Sequence, residues 1–85
     1  MKDSLLHIIE NIPEGYSTVQ FEDKKYGLTK TTFTNGKSYK IYAEELQGND
    51  FISLNYYLTT TSELLKPCEM PEDKVTRFLM EMESL

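Results

Sequence analysis

"YGLTKTTFTNGKSYKIYAEELQGNDFISLNYY", residues 26–57, is the stretch whose reading decides the fold. Its apolar and aromatic residues recur at every second position, the period of a half-buried strand rather than of a helix. Two turn signals divide it, TNGK at 34–37 and QGND at 47–50, and a third, EDKK at 22–25, stands just before it. Asn35-Gly36 is the strongest of the three, because a type I′ hairpin needs positive φ at both central residues. Three hairpins in succession make a four-stranded antiparallel meander.

If each signal is a two-residue loop, three registers follow. The first turn pairs Phe21 with Tyr26 and Val19 with Leu28. The second pairs Leu28 with Ala43 and Thr32 with Tyr39. The third pairs Ala43 with Leu54, Ile41 with Tyr56, and Glu45 with Ile52. All three put the same set on one face: Val19, Phe21, Tyr26, Leu28, Tyr39, Ile41, Ala43, Ile52, Leu54, Tyr56 and Leu58. A one-residue slip would throw a whole strand's set to the other side. One residue breaks the pattern. Lys30 has core parity, opposite Ile41, and is expected either to snorkel outward from the sheet margin or to mark a bulge near Thr31.

Outside the meander the period changes. Leu5, Ile8, Ile9 and Ile12 recur at helical spacing, with Asp3 or Ser4 as candidate caps and Pro13 as the terminator. Val75, Phe78, Leu79 and Met82 repeat that spacing. Pro71 suits the first helical position, and Glu72 and Asp73 complement the positive end of the dipole. Glu81 and Glu83 oppose the dipole at the other end, so the last turn is expected to fray. Two amphipathic helices need an apolar surface, and the sheet offers one face. The chain is therefore read as one α+β domain over residues 1–85, two layers in the order α-β-β-β-β-α, with both helices on one face. ELLK at 63–66 is a candidate fifth strand.

The charge and cysteine count exclude several functions. A formal net charge of −5 argues against a nucleic-acid binder, whose affinity rests on lysine and arginine contacts to phosphate, and against an anionic membrane surface. No apolar run approaches the roughly 18 residues of a span, and the start, MKDSLLHIIENIPEG, is not patterned as a signal peptide. One cysteine and one histidine cannot make a structural zinc site. No metal or cofactor is expected, and a reducing cytoplasm fits a lone cysteine best.

Cys68 sits between Pro67 and Pro71, just short of a helix start. That position favours a thiolate, but Glu69, Glu72 and Asp73 around it repel one, and Lys66 is the only local cation. The plainer expectation is a small side chain filling the seam where the strands meet the last helix. His7, one step off the first helix's apolar stripe, is expected at its solvated flank. The carboxylate pairs fail on spacing: Glu44 and Glu45 point to opposite faces of a strand, and Glu81 and Glu83 lie about 200° apart on a helix. The stronger candidate is a surface. The registers place Phe33, Lys40, Tyr42, Asn55 and Tyr57 on the outer sheet face among Thr29 and Thr31, with Lys40 beside Tyr57 and Tyr42 beside Asn55. Exposed rings of this kind suit another protein or a second copy, although cross-strand aromatic pairs also stabilise a sheet.

The segments KKYGLTKTTFTNGKSYKIYAEELQGNDFISLNYY and LLKPCEMPEDKV resemble a group of small bacterial proteins often labelled peptide methionine sulfoxide reductase, from about Tyr16 to Leu79. The chain holds neither the Gly-Cys-Phe-Trp nor the Cys-x-x-Cys motifs of the established reductases. The resemblance implies Cys68 as the attacking thiolate and Glu69 as proton donor, with the cysteine ending as a sulfenic acid that an outside thiol must reduce. The residues themselves point first to a non-catalytic cytoplasmic binding module.

Overall fold

The computed structural model describes residues 5–33, 36–59 and 62–85. Among these the elements are α1 (Leu5–Asn11), β1 (Gly15–Phe21), β2 (Lys24–Phe33), β3 (Ser38–Glu45), β4 (Phe51–Leu58), β5 (Glu63–Pro67), α2 (Glu72–Glu81) and β6 (Glu83–Ser84). The strands form one antiparallel sheet in the order β5-β4-β3-β2-β1-β6. The fold is α+β as expected, with the meander extended at both edges. β5 is the expected fifth strand, one residue longer than ELLK. β6 was not foreseen, because two residues carry no periodicity.

Every residue expected on the inner face is buried except Leu58, which is half-buried against the same core. Ile9 and Ile12 from the α1 end and Val75, Phe78 and Leu79 from α2 close that core from one side. Phe21, Tyr26 and Phe78 meet as three rings with centroids 5.1–6.2 Å apart, in tilted and edge-on arrangements favourable for aromatic pairs.

Two of the three registers differ from expectation. The β2–β3 ladder is the expected one, with Leu28 opposite Ala43 and Thr32 opposite Tyr39. In β1–β2, however, Val19 faces Tyr26 and Phe21 faces Lys24. The loop is Glu22-Asp23, at φ 53° and 64°, and not Asp23-Lys24. A type I′ turn needs two such residues; aspartate tolerates the left-handed region better than lysine, and the Arg77 guanidinium pairs with the Glu22 carboxylate. In β3–β4, Ala43 faces Ile52 and Ile41 faces Leu54. That loop spans residues 46–49, closed by Glu45 N–H donating to Asp50 O at 2.9 Å. Asp50 is drawn toward α2, where Lys74 Nζ donates to Oδ1 at 2.6 Å and the Tyr26 hydroxyl to Oδ2 at 3.0 Å. Both slips are of two residues, so the faces are unchanged while the neighbours across the sheet are not.

Lys30 does neither of the two things expected of it. The β2 ladder runs through it without a bulge, and it is 6% exposed. Its Nζ points inward and donates to Ile9 O and Ile12 O, both at 2.8 Å. These carbonyls end α1, which has no basic residue in its own last turn. A helix leaves its last carbonyls without intrahelical donors, and a cation there also suits the dipole. The ammonium stands 5.2 Å from the Tyr39 ring centroid, within range of a cation–π contact. Glu14 fastens the following turn, accepting from Thr32 N–H at 3.0 Å and Thr32 Oγ1 at 2.5 Å. Those bonds from Thr32, and secondarily the Lys30 charge, hold the Glu14 carboxyl below its usual range.

At the other end, α2 begins after Pro71, which is the N-cap rather than the first helical residue. Its last turn does not fray. Met82 N–H donates to Phe78 O at 2.9 Å, and the chain then pairs Ser84 with Val19 and Glu83 with Gln20. The candidate caps Asp3 and Ser4, and the turn residue Asn35, lie outside the described residues; Gly36 takes φ 88°.

Two outcomes follow. Lys30→Met keeps the stem but leaves two carbonyls without their charged donor, so urea unfolding should show a loss of about 2–3 kcal/mol; an unchanged midpoint would remove the cap from the account. Stability should also fall at both ends of the pH scale. The hydrogen bond from Lys74 holds Asp50 below its ordinary 3.8, so its contribution is present above about pH 4 and lost as pH drops through the lower folded value. Burial, then carboxylate partners, raises the Tyr26 and Tyr56 hydroxyls above 10, so their contribution is full below pH 10 and declines above it. Urea midpoints from pH 3 to 11 check both limbs, and Asp50→Asn should flatten the acid limb.

Candidate functional site

The face of the sheet turned away from α1 and α2 is built in rows. Phe33, Ser38, Tyr57 and Leu64 stand opposite one another across β2 to β5. The next row is Thr31, Lys40, Asn55 and Lys66. The third is Tyr16, Thr29, Tyr42 and Ser53, and the fourth Thr18, Gly27, Glu44 and Phe51. The five residues expected on this face are all there, but the two-residue slip changes their company. Lys40 faces Asn55, not Tyr57, and Tyr42 faces Ser53, not Asn55. Tyr57 stands beside Ser38.

Tyr16, Phe33, Tyr42, Tyr57 and Leu64 are all exposed, from 37% at Tyr57 to 65% at Tyr16. Large rings on open strands make a surface of the kind used for association. The rings are partly organised among themselves. Tyr42 and Phe51 lie 6.2 Å apart, and the Tyr16 ring lies across the Gly27 backbone, in space that a Cβ there would occupy. The Lys40–Lys66 row contains no acid, although the chain is acidic as a whole. Tyr16, Phe51 and Leu64 were not among the residues expected here. Tyr16 has the right parity relative to Val19, and Leu64 belongs to the expected fifth strand, so the signal was present for both.

Cys68 joins this face. Its N–H donates to Ser53 O at 2.9 Å, continuing the β4–β5 ladder one step past Pro67. Its sulfur lies 3.6 Å from Asn55 Nδ2, on the outer side. It is half-buried. The expected seam between strands and α2 is therefore not where the thiol sits. The ladder hydrogen bond, made before the chain turns at Glu69 (φ 63°), holds it on the far side. Glu69 itself is exposed, as is His7 on α1, and the sheet stands between His7 and the Cys68 sulfur.

Among the described residues no group of three or more His, Cys, Asp or Glu is placed to hold a metal ion, and no helix is long and apolar enough to cross a membrane. No protein-family model, curated protein or solved structure matches the chain.

The position of Cys68 has a measurable consequence. Iodoacetamide should label it in the folded protein at a rate that low urea does not change, because the thiol needs no global unfolding to be reached. A labelling rate that tracks the fraction unfolded would put the sulfur back inside the core.

Proposed function

We propose that this chain is a non-catalytic binding module that associates through its outer sheet face with another protein or with a second copy of itself. The observation that supports this reading is the set of exposed rings on one uncovered face, Tyr16, Phe33, Tyr42 and Tyr57, with Leu64 beside them. Tyrosine suits such a surface because it brings a large apolar area and a polar tip at low entropic cost. The acid-free row of Lys40 and Lys66 through the middle favours a partner surface that presents carboxylates between apolar groups.

A second reading is a thiol enzyme acting on methionine sulfoxide. The half-buried Cys68 sulfur on the outer face, with the Asn55 amide 3.6 Å away as a neighbouring donor, supports it. In that chemistry the thiolate attacks the sulfoxide sulfur, the S–O bond breaks, and the products are the thioether and a cysteine sulfenic acid. An external dithiol then returns the sulfenic acid to the thiol and releases water.

The double variant Tyr42→Ser/Tyr57→Ser tests the first reading. It should cost only about 1 kcal/mol of stability per site, since both rings are exposed, while abolishing self-association in sedimentation or capture of a partner. Unchanged assembly and unchanged capture would remove the face from consideration. The second reading requires dithiothreitol-dependent reduction of a sulfoxide peptide that disappears in Cys68→Ser.

A further inference from the structure

On the other side of the sheet, at the β1 edge, a half-open groove of about 510 Å³ runs between the ends of α1 and α2. Its walls are mostly apolar, with Ile8 and Ile12 on one side and Leu79, Met80 and Met82 on the other. β6 lies along β1 to form the rim, where Leu85 N–H donates to Thr18 O at 3.2 Å. The volume falls within the roughly 300–1,000 Å³ typical of small-molecule sites. None of the lining side chains is charged.

Ser17 gives the groove its chemistry. It has inner-face parity on β1, opposite Leu28, and it lines the groove. Its Oγ is buried and has no hydrogen-bond partner among the described residues. A buried hydroxyl left in that condition costs about 1–3 kcal/mol, and it is the only such side-chain atom among them. Three buried polar side chains elsewhere on the sheet have partners: Lys30 on α1, Tyr26 on Asp50, Tyr56 on Glu63.

We propose that this groove binds a small uncharged amphiphile, an apolar chain or ring system carrying one hydroxyl or carbonyl oxygen that hydrogen-bonds Ser17 Oγ. The apolar walls take the body of the ligand. The serine, which can donate or accept, takes the oxygen. A carboxylate or phosphate is disfavoured, because no cation lines the groove and the chain carries a net charge of −5. The site is independent of the outer sheet face, on the opposite side of the sheet.

The test is a titration with 1-decanol, followed by the methionine methyl signals in NMR and repeated with decanoate at neutral pH. Saturable shifts are expected at Met80 and Met82 and not at Met70, with decanoate weaker than decanol. Ser17→Ala should fold at least as well as the parent, since it removes an unpaired buried hydroxyl, and should weaken decanol about threefold to tenfold. Met80→Trp, at a half-exposed position on the rim, should block the groove without touching the core. Shifts that do not saturate, shifts at Met70 as large as those at Met80 and Met82, equal binding of decanol and decanoate, or equal decanol affinity in Ser17→Ala would each overturn the proposal.

Discussion

The structure turns on a lysine that faces the wrong way for its type. Lys30 has an inward position on a central strand and meets the two carbonyls that end α1. A seven-residue helix is far below the length at which isolated helices hold in water, so α1 depends on its contacts with the sheet. Apolar contact through Ile9 and Ile12 supplies one part. The ammonium adds a charged donor to both carbonyls, Ile12 O and an Ile9 O that also accepts from Ile12 N–H at 3.1 Å. In return the carbonyls and the Tyr39 ring give the lysine its partners, and a buried cation is tolerable only with partners. Neither the helix end nor the lysine would be stable in place without the other. Glu14, bound to Thr32 at the next step along β2, fixes the turn that follows.

The same coupling explains the two displaced registers. A hairpin's loop is set by local preference only when nothing else holds its residues. Glu22 is held by Arg77, and Asp50 by Lys74 and Tyr26. All three helix-side or sheet-side partners come from distant positions in the chain. Both shifts are even, because an odd shift would put the apolar set of a strand into water. The hydrophobic pattern thus restricts each register to alternatives two residues apart, and the tertiary partners select among them.

The consequence for the surface is a separation of roles. The inner face carries the core and, at its β1 edge, the groove with Ser17. The outer face carries rings, two lysines and the thiol. Cys68 belongs to that outer face because one ladder hydrogen bond to Ser53 is made before the chain turns at Glu69. The association through this face that we propose rests on exposed area, whereas the groove rests on one unpaired hydroxyl. They call on different residues and stand or fall separately.

Alternation alone assigned every core strand residue and all five residues expected on the outer face, since parity survives an even slip. Helical spacing likewise placed Ile9, Val75, Phe78 and Leu79 in the core. Pro13 marked where α1 stops and Pro71 where α2 starts. What pairs with what across the sheet was decided by side chains far apart in sequence. So were β6, which is too short to have a period, and the inward turn of Lys30, which parity indicated but the usual behaviour of a lysine argued against. The groove and the side on which Cys68 lies were likewise settled only by the packed chain. Local pattern records which face a residue takes, because that depends on the residue's own transfer to water. A partner, a cap or an unpaired hydroxyl depends on a second group, and only the folded chain brings the two together.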